Sequence, residues 1–408
     1  MLESQLTGHP SSVYSYLAFK PLNVIRAYGS RIEQVLDGKR KVFEMNPWDA
    51  LKRFRQKKKG WLFGYLGYDL KNHIEKLTSG NEVHARIPDM YFMQPELLLK
   101  VGNGQIETIT GNHSETVAGA TMNNPGVDFE IQDIIPGLNK QEYVNRIHEI
   151  KHLIKEGNFY ELNFSYPLTG IFKGEPYDLY VQMSHVNPVP FGAFLRFQDV
   201  CLCCLSPERF LKKTGKYILS EPIKGTTERG VNEDEDQLQI IELMNEKNRA
   251  ENLMIVDLVR HDLSTVSQTG SVHVTKLFDV QSFGTVHQLI SSIESIIKDG
   301  TDAVDTIKSC FPMGSMTGAP KIEVMRRIED LENYRRGIYS GAIGYFTPDD
   351  DFDFNVVIRT AIIQNDKLIY PVGGAITSDS DPEKEWKETI IKAKNLTEVF
   401  FRKTHFTK

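Results

Sequence analysis

The amino-acid sequence predicts an α+β fold with large antiparallel or mixed sheets. Segments rich in aromatic and β-branched residues, which are typical of strands, outnumber the helical segments. The two kinds of segment follow one another irregularly rather than in strict βαβ order. The chain has 408 residues, of which 40% are hydrophobic and 10% aromatic, so it can bury a sizeable core. At roughly 150 residues per domain, it forms two or three domains or one large one.

Helices are predicted from capping residues and from apolar residues spaced three and four apart. Asn46 and Pro47 are typical of a helix start. Asn139 caps a second predicted helix, which Gly157 ends. The predicted helices span 48–56, 140–156, 235–263, 320–333 and 382–402.

Strands are predicted where apolar, branched and aromatic residues cluster between turn residues. The clearest break in this pattern lies between Thr108 and Phe129, where Gly, Asn, Ser and Thr disfavour regular structure. The predicted strands span 60–70, 90–101, 159–168, 192–197, 200–210, 216–219, 271–280, 337–346, 352–363 and 367–370.

Composition excludes several classes of function. The chain has 48 Lys and Arg against 54 Asp and Glu, a formal net charge of −6. Proteins that bind nucleic acid or anionic membrane surfaces need a positive field, so neither partner is expected. We find no signal peptide and no apolar run of the roughly 18 residues that a membrane span requires. Four cysteines in a chain of this length favour reduced thiols and a cytoplasmic location.

Several common catalytic and nucleotide-binding motifs are absent from the sequence. It contains no GxGxxG, Walker A or GxSxG pattern. Cys201 and Cys204 form a CxxC pattern, but it lies in the apolar run 200–205 with no second pair nearby. That context favours a buried strand over a zinc or redox site.

Carboxylates on two predicted helices are candidates for a metal site. Glu251 interrupts an apolar stripe that includes Met244 and Ile255, and a core-facing carboxylate needs either an ion pair or a cation. On the last helix, Glu385, Glu388 and Lys392 share one face, which is also the pattern of a solvated face with an internal ion pair. If the carboxylates converge, they suit a hard divalent cation such as Mg²⁺.

Other charged residues and glycines are candidates for ligand binding. Lys224 lies between the rigid Pro222 and the permissive Gly225. It is either a surface charge or, if burial lowers its pKa, a nucleophilic amine. Glycines at strand ends, including Gly373 and Gly374, leave backbone N–H groups open to a carboxylate, and Arg359 can clamp a second one with two hydrogen bonds.

Several of these segments together resemble the chorismate-utilising enzymes. The resemblance is strong over residues 130–408 and weaker over 60–92. It rests on these strings in order: SPERF (206–210), PIKGT (222–226), RAENLMIVDLVRHDL (249–263), FPMGSMTGAPK (311–321), GAIGYF (341–346) and ETIIKAKN (388–395).

The resemblance implies one large α+β domain like that of anthranilate synthase component I. Two antiparallel sheets would pack in a sandwich flanked by helices. Residues 1–128 would be an N-terminal region that completes the sheets, and residues 129–408 would be the chorismate-binding catalytic region, with both in one compact unit.

The resemblance also implies roles for individual residues. The cofactor would be Mg²⁺, held by Glu251 and Glu388 with Glu385 nearby. Lys224 would be the nucleophile, Glu208 a general acid and base, and His287 a partner of the departing hydroxyl. The residues expected to contact chorismate are Arg359, Tyr345, Gly373, Gly374, Lys392 and Thr317.

The lysine of the PIKGT string is typical of one branch of the family, the aminodeoxychorismate synthases. Anthranilate synthases usually carry alanine at this position. That branch combines chorismate with ammonia from a glutamine amidotransferase subunit to give 4-amino-4-deoxychorismate, a precursor of para-aminobenzoate and folate. Three alternatives stay open: anthranilate synthesis, isochorismate formation, and an inactive subunit that only binds a partner. Glu161 stands where relatives commonly carry glutamine, and this departure touches none of the positions assigned above.

Overall fold

A computed structural model describes residues 1–6, 13–112, 129–283 and 286–406, with side chains up to residue 400. Most of the Gly- and Asn-rich break therefore lies outside the described residues. The strands are β1 (Leu2–Glu3), β2 (Ser15–Tyr28), β3 (Arg31–Leu36), β4 (Lys39–Glu44), β5 (Leu62–Leu66), β6 (Met90–Gly102), β7 (Gln105–Thr110), β8 (Phe129–Pro136), β9 (Glu161–Gly174), β10 (Phe191–Phe197), β11 (Val200–Ser206), β12 (Arg209–Thr214), β13 (Tyr217–Glu221), β14 (Ile223–Glu228), β15 (His273–Ser282), β16 (Val286–Ile296), β17 (Gly318–Ala319), β18 (Ala342–Phe346), β19 (Phe352–Asn355), β20 (Thr360–Gln364) and β21 (Lys367–Ile376).

The α-helices are mostly short and lie between groups of strands. They are α1 (Pro47–Lys57), α2 (Lys140–Lys155), α3 (Pro176–Val186), α4 (Glu233–Leu243), α5 (Glu246–Val266), α6 (Ala303–Cys310), α7 (Lys321–Leu331) and α8 (Pro382–Phe406). Two 3₁₀ helices span Tyr68–His73 and Gly314–Met316. Among the described residues, none of the helices combines the length and apolar character that a membrane crossing requires.

All the strand pairs described in the chain are antiparallel, and they form two arms. In the first arm the order is β8, β9, β21, β20, β11, β10. In the second it is β2, β6, β5, β18, β19, β12, β13, β16, with β14 and β15 also paired to β16. β1 pairs with both β10 and β2, and so joins the arms.

The two arms face each other across a shared apolar layer. Tyr65 of β5 and Tyr91 of β6 pack in one buried cluster with Leu202 and Cys204 of β11. The intervening Cys201 and Cys203 point to the other face of β11, into a second cluster beneath the helices. β11 is therefore buried on both faces, which explains its unbroken apolar sequence. All four cysteines are free and buried.

Helices cover the outer face of each arm. Side chains of α2, α3, α7 and α8 pack on the first arm, while those of α1, α5 and α6 pack on the second. The predicted α+β fold, a sandwich of antiparallel strands flanked by helices, is confirmed.

Some predicted helices and strands are interrupted in the structure or end at a different residue. The predicted helix 235–263 is two helices, because Asn245 interrupts it and caps α5 by accepting a hydrogen bond from the Asn248 N–H. Ile241 lies on the same face of the predicted helix as Met244, but it is 67% exposed rather than buried. The predicted strand 352–363 is divided into β19 and β20 by residues 356–359. The predicted strand 60–70 ends at Leu66, before a 3₁₀ helix.

Candidate functional site

A cleft of about 660 Å³ opens where the two arms approach each other. Lys224 of β14 and Glu251 of α5 line it from the second arm. Gly373 of β21 and the carboxylates Glu385 and Glu388 of α8 line it from the first arm. The structure therefore brings together residues that lie far apart in the sequence.

Lys224 lies in β14, at an irregularity in the strand. The pairing of β14 with β16 shifts register between Ile223 and Thr226, and Gly225 has a φ of +88°, which glycine adopts without strain. Lys224 is thus held in a bulged strand. Lys224 is 8% exposed, and its Nζ donates a hydrogen bond of 2.6 Å to Oε1 of Glu161.

The charges around Lys224 shift its pKa in the direction opposite to the one considered from the sequence. Burial by itself lowers the pKa of the lysine, but Glu161, Glu251 and Glu208 raise it above its ordinary value on balance. The expectation of a lowered pKa is therefore wrong for the chain alone. In this arrangement Lys224 is an ammonium ion, and it must lose a proton before it can act as a nucleophile.

Glu208 lies in the same cleft, between β11 and β12. The Ser315 hydroxyl donates a hydrogen bond of 2.7 Å to its Oε1. Burial raises the pKa of Glu208 to about 7, although Ser315 and Lys224 partly oppose the shift. A carboxyl group with this pKa can both donate and accept a proton near neutral pH.

Three carboxylates from two helices meet at the cleft. Glu251 is directed to the cleft rather than the core, and its Oε1 is buried without a hydrogen-bond partner. Burial raises the pKa of Glu251. The Nζ of Lys247 lies 3.7 Å from Glu251 Oε1 and 3.1 Å from Glu385 Oε1. Glu388 pairs with Lys392 at 2.7 Å, and this lysine lowers the pKa of Glu388.

These residues fit a hard divalent cation by their donor chemistry. Within the described ranges, no three acidic, histidine or cysteine side chains are arranged ready to hold a metal ion. Instead, the Lys247 ammonium lies between Glu251 and Glu385. The unpartnered Glu251 Oε1 and an all-oxygen donor set are nevertheless what Mg²⁺ prefers. A Cβ at Gly374 would lie within 3.8 Å of Glu385 and Glu388, so the glycine leaves space beside both carboxylates.

The cleft also carries cationic groups suited to an anionic ligand. Arg359 lines it with a backbone φ of +51°, and in the described part of the chain no carboxylate pairs with its guanidinium. Burial lowers the pKa of Arg359. Lys392 lines the cleft and donates to the carbonyl of Gly373 at 2.8 Å. These cationic groups can meet the carboxylates of a ligand.

Four residues expected at the site, Gly374 among them, do not line the cleft. Tyr345 packs against Tyr16, Trp61 and Phe63, with ring centroids 5.0 to 5.7 Å apart. Because β18 pairs with β5, the tyrosine is directed into this aromatic cluster, and we withdraw it from the substrate contacts.

His287 and Thr317 are occupied by contacts within the protein. His287 is fully buried, with Nδ1 2.7 Å from the Ser282 hydroxyl and Nε2 2.9 Å from Asp236. Its neighbour Val286 lines the cleft, and alternation along β16 turns His287 to the other face. The Thr317 hydroxyl donates to the carbonyl of Met313. We withdraw both residues from direct substrate contact.

Other residues at the site were not predicted. The Asn163 Oδ1 and the Asn395 Nδ2 are buried without hydrogen-bond partners, and both residues line the cleft. Buried polar atoms are usually paired, so unpaired ones favour a polar ligand. The sequence could have indicated Lys247 as a partner of Glu251, because it precedes Glu251 by one helical turn. The sequence did not indicate the contact of Glu161 with Lys224, because only the fold brings these two residues together.

Comparison with known proteins assigns the chain to a family. Residues 2–398 match the family described as chorismate binding enzyme. The chain is 43% identical over 365 residues to the aminodeoxychorismate synthase, chloroplastic, of Arabidopsis thaliana, covering 82% of this chain and 40% of that protein. It thus spans less than half of that relative. It is 30% identical to the aminodeoxychorismate synthase component 1 of Escherichia coli, with 97% and 92% of the two chains covered.

A solved structure supports the same assignment. Anthranilate synthase component I from Streptococcus pneumoniae superposes with a TM-score of 0.84 and 28% identity, over 95% of this chain and 93% of that one. The family match covers nearly the whole chain and includes every residue described around the cleft. The chain therefore belongs to the chorismate binding enzyme family.

Proposed function

We propose that the chain is the chorismate-converting component of an aminodeoxychorismate synthase. It would combine chorismate and ammonia to give 4-amino-4-deoxychorismate, a precursor of para-aminobenzoate and folate. The observation that carries this proposal is the position of Lys224, an amine that lines the cleft beside the carboxylates Glu251 and Glu208. The two relatives named above, one of which matches over most of both chains, support it.

Chorismate is a dicarboxylate, and the cationic groups of the cleft suit it. In our proposal Arg359 binds one carboxylate through two parallel hydrogen bonds. Lys392 and the backbone around Gly373 and Gly374 hold the ring side. The protein carries a net negative charge, so this local cationic wall is needed to bind a dianion.

Lys224 supplies the first bond-forming step. After Nζ has lost a proton to solvent, its lone pair attacks ring carbon 2, both ring double bonds shift by one bond, and the hydroxyl on carbon 4 departs. Glu208, with a pKa of about 7, donates the proton that the departing hydroxyl needs. Ammonia then adds at carbon 4, and the bond from carbon 2 to Nζ breaks, which restores Lys224.

We propose Mg²⁺ as the cofactor, with Glu251, Glu388 and Glu385 as the residues that hold it. When bound, the ion would neutralise a substrate carboxylate and polarise the ring. By holding the ion, these carboxylates would set the position of that end of the substrate relative to Lys224. Because Lys247 lies between two of them, its side chain must move when a divalent cation is bound.

Ammonia in this proposal comes from a separate glutamine amidotransferase subunit. The component 1 designation of the Escherichia coli relative is consistent with a partner chain. Four free, buried cysteines fit a reducing compartment such as the cytoplasm.

Product analysis tests the proposal. The purified chain is incubated with chorismate, MgCl₂ and an ammonium salt, which removes the need for a partner subunit. We expect 4-amino-4-deoxychorismate, identified by mass and by chromatography against authentic standards. A chain that consumes no chorismate under these conditions would be an inactive binding subunit, contrary to the proposal.

The variant Lys224→Ala separates this activity from a second candidate. The likeness to anthranilate synthase component I favours anthranilate synthesis as that candidate, in which ammonia attacks carbon 2 directly. We expect the variant to lose aminodeoxychorismate formation by on the order of 100-fold or to divert product to the anthranilate type. Near wild-type formation of aminodeoxychorismate by Lys224→Ala would rule out the nucleophile role.

A further inference from the structure

The acceptor of the hydrogen bond from Lys224 is a residue to which the sequence assigned no role. Glu161 is 1% exposed and Lys224 is 8% exposed, and 2.6 Å separates Glu161 Oε1 from Lys224 Nζ. The two residues lie on different arms of the sandwich, on β9 and β14. This buried contact is therefore made only when the arms are docked.

No other described carboxylate replaces Glu161 in this contact. Glu208 also raises the pKa of Lys224, but its Oε1 accepts the Ser315 hydroxyl. Glu251 contributes through its charge, and its Oε1 faces Lys247 rather than Lys224. Within the described residues, Glu161 is the acceptor that holds the lysine amine.

Among the residues that the structure describes, no other partner explains the burial of Glu161. Its second oxygen, Oε2, is buried without a hydrogen-bond partner. A buried carboxylate is retained only where an opposite charge compensates its desolvation, and here that charge is Lys224. Unlike Lys224, Glu161 does not line the cleft, so it lies behind the lysine as seen from the ligand.

The backbone that carries Glu161 is firmly held. Glu161 pairs with Ala319 of β17, and the N–H of Tyr160 donates to the Ala319 carbonyl at 2.8 Å. The approach of the two strands is so close that a Cβ on Gly318 would lie 2.0 Å from the Glu161 carbonyl oxygen. A carboxylate on such a fixed support can orient a flexible lysine side chain.

We infer that Glu161 is a positioning residue for Lys224, which fixes the direction in which the amine faces the cleft. This inference rests on the proposed function, because it concerns the same nucleophile. A neutral amine that donates one N–H to Glu161 cannot direct its lone pair at that oxygen, so the lone pair is left for the substrate. Misplacing a reacting atom by about 1 Å can reduce a rate on the order of 100-fold.

The test compares three variants by two measurements. Steady-state kinetics gives kcat and KM for chorismate, and acylation by an amine-reactive ester, followed by peptide mass analysis, gives the reactivity of Lys224 without chorismate. For Glu161→Ala we expect kcat to fall about tenfold or more with KM within about threefold, because Glu161 lies outside the cleft wall. We expect Lys224 to be acylated faster, because its amine is no longer held. Glu161→Gln, which keeps an acceptor oxygen, should restore most of both properties.

A matched control is Glu33→Gln. Glu33 is also a buried carboxylate with cationic partners, Arg26, Arg31 and Arg40, but it is not among the residues that line the cleft. We expect neither measurement to change in this variant. Should Glu161→Ala fail to fold, Glu161→Asp keeps the charge but shortens the side chain, and we expect an intermediate loss of kcat.

Two results would overturn the inference. One is a kcat for Glu161→Ala within twofold of wild type. The other is a lower kcat with unchanged acylation of Lys224, since the loss would then arise elsewhere. If the wild-type chain forms no aminodeoxychorismate, the proposed function fails, whereas the acylation comparison still decides whether Glu161 holds the lysine.

Discussion

The Ser315 hydroxyl donates a hydrogen bond of 2.7 Å to Oε1 of Glu208, and burial nonetheless raises the pKa of this carboxyl group to about 7. The hydrogen bonds that Ser315 and the backbone of Ile223 donate to the ionised form do not offset the loss of water around it. Glu208 therefore changes its protonation state across neutral pH, which makes its role measurable in both activity and stability.

We expect kcat to stop rising with pH at about pH 7. Below that pH, deprotonation of Lys224 raises kcat, and above it the loss of the Glu208 proton that assists the departing hydroxyl offsets this gain. Glu208→Gln should lose the break near pH 7 and on the order of 100-fold or more of kcat. A pH profile of kcat for both proteins checks this. A break that persists in Glu208→Gln would assign it to another group.

The same group has a predictable effect on stability. Its pKa is raised in the folded state, so the folded protein binds more protons than the unfolded chain between about pH 4.5 and 7, and stability falls as the pH rises through that window. Glu208→Gln removes this loss. We expect the variant to gain about 2 kcal/mol in unfolding free energy relative to wild type between pH 5.5 and 8.5, measured by urea denaturation. An equal difference at both pH values would contradict the raised pKa.

Adjacent glycines in β21 should respond differently to alanine. A Cβ at Gly374 would lie 3.5 Å from Lys392 Nζ and 3.7 Å from Glu385 Oε2. Gly374→Ala should therefore fold normally but fill space needed by a cation or substrate, so that KM or the half-saturating Mg²⁺ concentration rises. A Cβ at Gly373 would lie 2.4 Å from the Phe164 carbonyl, so Gly373→Ala should lower stability by about 1–3 kcal/mol. Equal melting temperatures for the two variants would contradict this geometry.

Removing the ammonium between two cleft carboxylates should strengthen cation binding. Lys247→Met leaves Glu251 and Glu385 without their shared counter-ion. We expect a lower melting temperature without Mg²⁺, because the carboxylates repel each other, and an apparent Mg²⁺ affinity raised by about threefold or more. Thermal denaturation over a series of MgCl₂ concentrations measures both.

Lys52 provides the control for that experiment. It also bridges two carboxylates, Asp302 and Asp305, and its side chain is similarly exposed, at 35% against 41% for Lys247. It does not line the cleft. Lys52→Met should leave the Mg²⁺ dependence unchanged, and a shift as large as that of Lys247→Met would indicate a nonspecific charge effect.

The position of Tyr345 predicts a substitution without effect on catalysis. Its ring lies in the cluster with Tyr16, Trp61 and Phe63. Tyr345→Phe keeps the packing and removes only the hydroxyl, so we expect kcat and KM for chorismate to stay within twofold of wild type. A clear rise in KM would show that the hydroxyl reaches the substrate after all.

The sequence was sufficient to predict those helices and strands whose capping residues and apolar spacing match their burial in the fold. α2 was predicted from Asn139 as a cap and from apolar residues at helical spacing, and in the structure Asn139 does cap it, in a capping box with Glu142. β4 was missed because five of its six residues are exposed, so it lacks apolar alternation. The break at Asn245 was missed because the apolar spacing continues to Met244, and only a cap on the next residue ends the pattern.

The site was predictable where a residue's role depends on its own sequence segment. Lys224, Glu208 and the three helical carboxylates do line one cleft. The directions in which the Tyr345 and His287 side chains point depend on strand pairing, which the matched sequence segments do not encode. The contact of Lys224 with Glu161 spans 63 positions and two sheets, so no spacing rule reveals it.

The order of the strands gives the Lys224–Glu161 contact a further consequence. β9 is next to the last strand at one end of the hydrogen-bonded series, and β14 is at the other end, beyond β16. The series must curl back on itself before these two side chains touch. The second arm alone would hold the amine without its acceptor, so the orientation of the Lys224 amine is a property of the closed series of strands and of neither arm by itself.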